Sequence, residues 1–250
     1  MIDLSKPLPF GLNRRNWPLF AGGFVVLLGG LVWFDHPLSL LAHGQSKETV
    51  DFFEQVTRWG EADWILWPTL ALLVVSALLA WAIPKRYVKL ALIETIQMYG
   101  LILLGVGLPS LAANIVKRLI GRGRPEAFEQ VGTLGFHPVA NGYLFESFPS
   151  GHTSTAFAAA LVMGFLAPRW FGLGLAFAAA IGLSRVVVGA HYPTDVAAGV
   201  VVGTIGAYLV RNYFASRRWG FERQADGRIT QRDPVAMMRL LRRRQRKPAE

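Results

Sequence analysis

Apolar residues occur in long blocks along this chain rather than alternating with polar residues. Six blocks are long enough to cross the hydrocarbon core of a bilayer, which is roughly 30 Å thick and takes about 20 helical residues. Because lipid cannot satisfy backbone polar groups, such blocks are expected to be helical. The pattern therefore predicts an all-α membrane bundle with six transmembrane helices, at about Trp17–Phe34, Asp63–Ile83, Leu92–Val116, His152–Leu166, Trp170–Val188 and Asp195–Val210.

Composition supports a membrane protein. Of the 250 residues, 52% are hydrophobic and only 17% are charged, and the mean hydropathy is +0.35. A soluble domain would have nearer a quarter charged residues. The chain has no cysteine, which excludes disulfides and thiolate metal sites.

The distribution of basic residues predicts the orientation of the bundle. Basic residues cluster in the loops on one side, which the positive-inside rule assigns to the cytoplasm. The loop from Asp35 to Glu61 is mainly acidic and is expected outside. Both termini are then cytoplasmic. The basic clusters are Arg14 and Arg15, then Lys85, Arg86 and Lys89, then Arg169, and finally the C-terminal segment.

Most of the net charge of +10 lies near the C-terminus, where Arg211–Glu250 contains twelve basic and four acidic residues. We divide the chain into a six-span domain, residues 1–216, and a basic cytoplasmic tail, residues 217–250. This distribution argues against nucleic acid as a partner and favours anionic membrane lipids. Pro234–Lys247 could form a basic surface helix or remain a disordered tail. Nothing in the sequence indicates an obligate protein partner.

Two basic features oppose the predicted orientation. Lys117, Arg118, Arg122 and Arg124 follow the third span on the outer side, and Arg185 lies near the outer end of the fifth. Charge placed against the topological preference needs another cause, and an ionisable residue at membrane depth is a functional-site hypothesis. An anion-binding site is the interpretation that explains both features.

Three short motifs lie at these span ends. They supply three cations, two imidazoles and a carboxylate, which are the groups needed to hold a phosphate and cleave its ester through a phospho-histidine. Arginine suits the phosphate because its guanidinium donates two parallel hydrogen bonds. The motifs are Lys117-x6-Arg124-Pro125, Pro149-Ser150-Gly151-His152, and Ser184-Arg185-x5-His191-x3-Asp195.

Each of these residues also has a purely structural interpretation. A cation at a span end can extend to the interface, His152 can simply begin a helix, and Asp195 can cap one. Those interpretations do not explain why the groups recur together. His36, His43 and His137 lack such neighbours and are interpreted as interfacial loop residues.

The three motifs, complete and in order, resemble the signature motifs of the type 2 phosphatidic acid phosphatase superfamily, which includes membrane lipid phosphatases and soluble vanadium haloperoxidases. The resemblance implies that His191 is the nucleophile, that Asp195 orients it and that His152 protonates the leaving alcohol. It assigns phosphate binding to Lys117, Arg124, Ser150, Gly151 and Arg185, with no metal or other cofactor. The six apolar spans argue against a haloperoxidase.

The expected function is therefore hydrolysis of a lipid phosphate at the outer face of a plasma membrane, most simply a bacterial inner membrane. Candidate substrates are polyprenyl diphosphate, phosphatidic acid, phosphatidylglycerol phosphate and a lipid A-type phosphate. Two alternatives stay open: a phosphotransferase with a lipid or sugar acceptor, and a catalytically silent lipid transporter. The stretch Glu48–Trp59 is expected to form a helix, either on the outer interface or packed within the loop.

Overall fold

Eight α-helices and one β-hairpin form the part of the chain that the computed structural model describes, residues 3–139 and 142–233. The helices are α1 (Trp17–His43), α2 (Lys47–Arg58), α3 (Asp63–Ala82), α4 (Arg86–Ile120), α5 (Phe128–Val131), α6 (Gly151–Leu166), α7 (Phe171–Val187) and α8 (Pro193–Ser216). The hairpin strands are β1 (Phe221–Arg223) and β2 (Ile229–Gln231).

Each of the six apolar blocks forms a helix, and the largely helical, membrane-spanning class of fold is confirmed. Five helical segments in the described part are long and apolar enough to cross a membrane. The sixth, α6, is apolar but has only 16 residues. The count of six spans and the cytoplasmic position of both termini remain predictions.

The first helix is longer than its apolar block. We predicted an end at Phe34 and an external acidic loop from Asp35, but α1 continues through Pro37 to His43. Asp35 is fully buried in this extension. The predicted helix end was wrong because we took the charged Asp35 as the start of a loop. Its carboxylate is instead paired with Arg122 and Thr194, which allows it to lie buried within the helix.

Helix α6 lies at the centre of the bundle, between α4, α7 and α8. Its apolar side chains, among them Leu161, Val162 and Phe165, belong to the main buried cluster. Small residues on α8 allow a close approach: a Cβ on Gly199 would lie 2.6 Å from the Ser150 carbonyl oxygen, and one on Gly203 would overlap that of Ser154. Glycine at these positions thus fixes α8 against the start of α6.

The N-terminal segment and the hairpin cover the end of the bundle where α8 finishes. The buried guanidinium of Arg211 donates to the carbonyl oxygens of Leu4 and Lys6, and Ile229 N–H donates to the Ser5 carbonyl. Phe221 and Ile229 join the main apolar cluster. The first part of the segment predicted to be a tail is therefore packed against the bundle. The predicted basic helix, Pro234–Lys247, lies outside the described residues.

Candidate active site

A cavity of about 310 Å³ lies at the opposite end of the bundle, where α4 and α7 end and α6 begins. Six of the predicted site residues line it together, although they come from three separate motifs. These six are Lys117, Arg124, Gly151, His152, Arg185 and His191. Further lining comes from the loop between α2 and α3 and from Ser110, Asn114, Tyr143 and Thr155.

A sharp turn after α4 brings Arg124 to this cavity. The helix ends at Gly121, whose backbone is left-handed with φ of 64° and whose N–H donates to the Lys117 carbonyl. A Cβ at Gly121 would overlap the carbonyl of His137, so only glycine fits here. Arg124 N–H then donates to the Leu144 carbonyl at 2.8 Å, which holds the returning chain beside the cavity.

Arg124 and Arg185 are buried cations whose hydrogen-bonding capacity is only partly used. Neither has an acidic side chain within 4.0 Å in the described part of the chain, and the Nε of each has no partner there. Arg124 donates to the Ala190 carbonyl at 3.3 Å, while Arg185 donates to Thr57 Oγ1 at 2.7 Å. Burial lowers the pKa of Arg124. Two buried guanidinium groups with unused donors favour an anion between them.

Lys117 is paired within the protein. Its Nζ lies 3.1 Å from Glu146 Oε2, and Arg118 Nε lies 3.4 Å from the other oxygen. Glu146 therefore competes with any bound anion for Lys117.

Arg124 also has an aromatic neighbour. The ring of Tyr143 stacks on its guanidinium group, with the guanidinium carbon 3.8 Å from the ring centroid.

The ring of His191 is held in one orientation. Its Nδ1–H donates to the Ser147 carbonyl oxygen at 2.8 Å, and Asp195 Oδ2 lies 3.8 Å from the same nitrogen. A protonated Nδ1 leaves Nε2 with a free lone pair, as a nucleophile requires. Burial lowers the pKa of His191 to about 4, although the carboxylate of Asp195 opposes this shift. The imidazole is therefore neutral at neutral pH.

Asp195 is the second member of this arrangement and is fully buried behind the cavity wall. Its Oδ2 accepts from Ser147 Oγ at 2.5 Å and from Tyr192 N–H at 2.8 Å. Its Oδ1 accepts from Arg122 Nη1 at 2.6 Å. Ser147 thus links the two residues, because its hydroxyl binds Asp195 and its carbonyl binds His191.

Arg122 extends the network to the first helix. Its Nη2 lies 2.8 Å from Asp35 Oδ2, and its Nε and Nη2 both donate to the Thr133 carbonyl. Asp35 also accepts from the backbone and side chain of Thr194, at 3.0 and 2.5 Å. Burial works to lower the pKa of Arg122, but the charges of Asp195 and Asp35 outweigh it and raise that pKa.

His152 and Ser150 have different surroundings at the start of α6. His152 lines the cavity, and Gly60 lies so close that a Cβ there would be 3.0 Å from that of His152. Ser150 is fully buried, and its hydroxyl caps α6 by accepting from the Thr153 N–H at 3.4 Å and hydroxyl at 3.0 Å. Its predicted contact with phosphate remains a prediction.

Sequence reasoning did not identify several residues of this site. Arg122 was identified only as part of a basic cluster, because nothing in the sequence distinguished it from the other basic residues there. Asp35 carried a usable signal, since it adjoins an apolar block. Thr57, Tyr143 and Ser147 carried none. In the described ranges, no group of three or more His, Asp or Glu side chains is arranged to hold a metal ion.

A family model described as the PAP2 superfamily matches residues 98–219, which include all three motifs, and the chain belongs to this superfamily. Over 223 residues it is 34% identical to the lipid A 1-phosphatase of Rhizobium johnstonii, covering 87% of this chain and 88% of that protein. Over 104 residues it is 39% identical to the decaprenylphosphoryl-5-phosphoribose phosphatase of Mycobacterium tuberculosis, covering 39% of this chain and 51% of that protein.

Among solved structures, the chain resembles a transmembrane PAP2-type phosphatidylglycerolphosphate phosphatase from Bacillus subtilis. The TM-score is 0.52 at 22% identity, over 80% of this chain and 96% of that one, a likeness of fold alone. The superfamily predicted from the motifs is confirmed, as is the class of enzyme, a multi-pass membrane phosphatase of PAP2 type.

Proposed function

We propose that this protein hydrolyses the phosphate of a lipid A-type glycolipid through a phospho-histidine, without a metal ion, at the outer face of a bacterial inner membrane. One observation carries the chemical part of this proposal. The nucleophilic ring of His191 shares a cavity with Arg124 and Arg185, two buried cations that retain unused donors. The substrate class is supported by the extent of similarity to a lipid A 1-phosphatase.

In the first step, His191 Nε2 forms a bond to phosphorus and the bond from phosphorus to the lipid oxygen breaks. His152 gives its proton to that oxygen, so the lipid leaves as a neutral alcohol. Lys117, Arg124 and Arg185 neutralise the equatorial phosphoryl oxygens, where negative charge concentrates. The first-turn amide groups at Gly151, at the start of α6, add further donors.

In the second step, His152 removes a proton from water and the water oxygen bonds to phosphorus. The bond from phosphorus to Nε2 breaks, which releases inorganic phosphate and restores His191. Asp195 favours the first step because its carboxylate faces the ring that becomes positively charged on phosphorylation. The network behind Asp195 supports this role because its side chains, Arg122, Asp35 and Ser147, are buried and linked by hydrogen bonds.

The test is phosphate release by detergent-purified protein, in EDTA, from lipid A, polyprenyl diphosphate, phosphatidylglycerol phosphate and phosphatidic acid. We expect release that persists in EDTA and is highest with lipid A. His191→Ala should abolish release, while His137→Ala, which removes an exposed ring outside the cavity, should not.

The outcomes separate the competing functions. Release abolished by EDTA would contradict the metal-independent mechanism, and preference for another lipid would replace the proposed substrate. Consumption of a lipid phosphate without free phosphate would indicate the phosphotransferase. Folded protein inactive on all four lipids would favour the silent transporter.

A further inference from the structure

A carboxylate is the most deeply buried side chain of α1, a helix whose apolar residues mostly face outward. Asp35 is 0% exposed, whereas none of the helix's most apolar stretch is buried. Burying a charge is costly unless it is paired and hydrogen-bonded. An apolar residue would hold a membrane helix at lower cost, so the contacts of Asp35 point to a specific role.

Those contacts lead to the start of α8. Asp35 Oδ1 accepts from Thr194 N–H at 3.0 Å and its Oδ2 accepts from the Thr194 hydroxyl at 2.5 Å. Thr194 lies in the first turn of α8, immediately before Asp195. A carboxylate at this end satisfies a free amide and interacts favourably with the helix dipole. Asp35 therefore fixes the turn that carries Asp195.

Asp35 also shares a cation with Asp195. Arg122 directs Nη2 to Asp35 at 2.8 Å and Nη1 to Asp195 at 2.6 Å. Its other hydrogen bonds go to the Thr133 carbonyl and the Thr194 hydroxyl. The three buried charges sum to one negative charge behind His191. If Asp35 were neutral, Arg122 would fully offset Asp195, and the ring would lose its counter-charge.

We propose that Asp35, 156 positions before the nucleophile in the chain, is a positioning residue that acts through Arg122 on Asp195. The inference rests on the proposed function. The ring of His191 gains positive charge only when Nε2 bonds to phosphorus, so loss of Asp35 acts on the chemical step. Substrate binding depends on Lys117, Arg124 and Arg185, which have other partners than Asp35 and Arg122, so it should stay close to that of wild type.

The experiment compares Asp35→Asn, Arg122→Gln and the double variant by steady-state phosphate release, together with thermal unfolding in the same detergent. We expect Asp35→Asn to lower kcat about tenfold, as typical for loss of one charge-assisted contact, with KM within about twofold. Asparagine keeps a side-chain oxygen that can accept from the Thr194 N–H, so Asp35→Asn tests the route through Arg122, and adding it to Arg122→Gln should lower kcat no further. If Asp35→Asn does not fold, Arg122→Lys, which keeps the charge but loses the fork, should show the same selective loss of kcat.

Arg211→Gln is the matched control, since Arg211 is equally buried but lies at the far end of the bundle. It should lower the unfolding temperature and leave kcat per folded molecule unchanged. An unchanged kcat in folded Asp35→Asn, or the same loss with and without Arg122, would overturn the inference alone. An inactive wild-type protein would instead overturn the proposed function, and this inference with it.

Discussion

The hydroxyl of Thr57 offers a sharp test of how the site is assembled. Thr57 is buried on α2, a helix that contains no motif residue, and its Oγ1 accepts from Arg185 Nη1 at 2.7 Å. No acidic side chain in the described ranges lies within 4.0 Å of Arg185. Thr57 is thus the side chain that orients this guanidinium in the cavity.

Thr57→Val removes the hydroxyl and keeps the shape of the side chain. A hydrogen bond to a charged group contributes about 1.5–3 kcal/mol, and each ~1.4 kcal/mol corresponds to a tenfold change. We therefore expect kcat/KM for phosphate release to fall about ten- to a hundredfold. Part of the loss should appear in KM, because the proposed contact of Arg185 with the phosphate exists in the ground state as well as in the transition state.

Thr57→Ser is the matched control, because it retains the oxygen and removes only a methyl group. It should keep kcat/KM within about threefold of wild type. The assay is phosphate release from the preferred lipid, with thermal unfolding measured on each variant. A Thr57→Val variant with wild-type kcat/KM would refute the assignment of Arg185, and so would equal losses in both variants.

Three further predictions use other features of the molecule. Glu146→Gln should lower KM about threefold or more, because it releases Lys117 from its 3.1 Å ion pair. Glu129→Gln, at an exposed position, should leave KM unchanged, and a raised KM in Glu146→Gln would contradict the prediction. Gly203→Val should lower the unfolding temperature, because the added side chain would force α8 away from α6. Gly29→Val is the control, since a Cβ at Gly29 would have no described atom within 4 Å, and equal effects of the two variants would refute the packing argument. Because His191 has its pKa lowered to about 4, the unfolded chain takes up a proton below pH 6.5 before the folded chain does. Wild type should thus lose about 2–3 kcal/mol more stability than His191→Gln between pH 7 and pH 4.5, measured by denaturation at each pH, and parallel losses would contradict a buried neutral ring.

The motifs allowed the chemistry to be predicted because each one places reactive or charged residue types near the end of an apolar helix. Lys117, His152, Arg185 and His191 were each predicted from their place at the end of an apolar block, and all four line one cavity. Hydrophobic blocks likewise predicted the long helices, since a bilayer demands an apolar length that is visible in one dimension.

The supporting contacts could not be predicted in this way. Asp35 and Thr57 reach the site from α1 and α2, and their partners are 159 and 128 positions away in the chain, so no local pattern records them. Ser147 was equally invisible, because half of its role belongs to a backbone carbonyl, which every residue has. The sequence by itself determined which groups are candidates for the chemistry and that they lie at the ends of long apolar helices. Only the tertiary structure decided which neutral and charged partners orient those groups. A buried polar group must be paired, and its partner is the side chain or carbonyl that packing places within hydrogen-bonding distance.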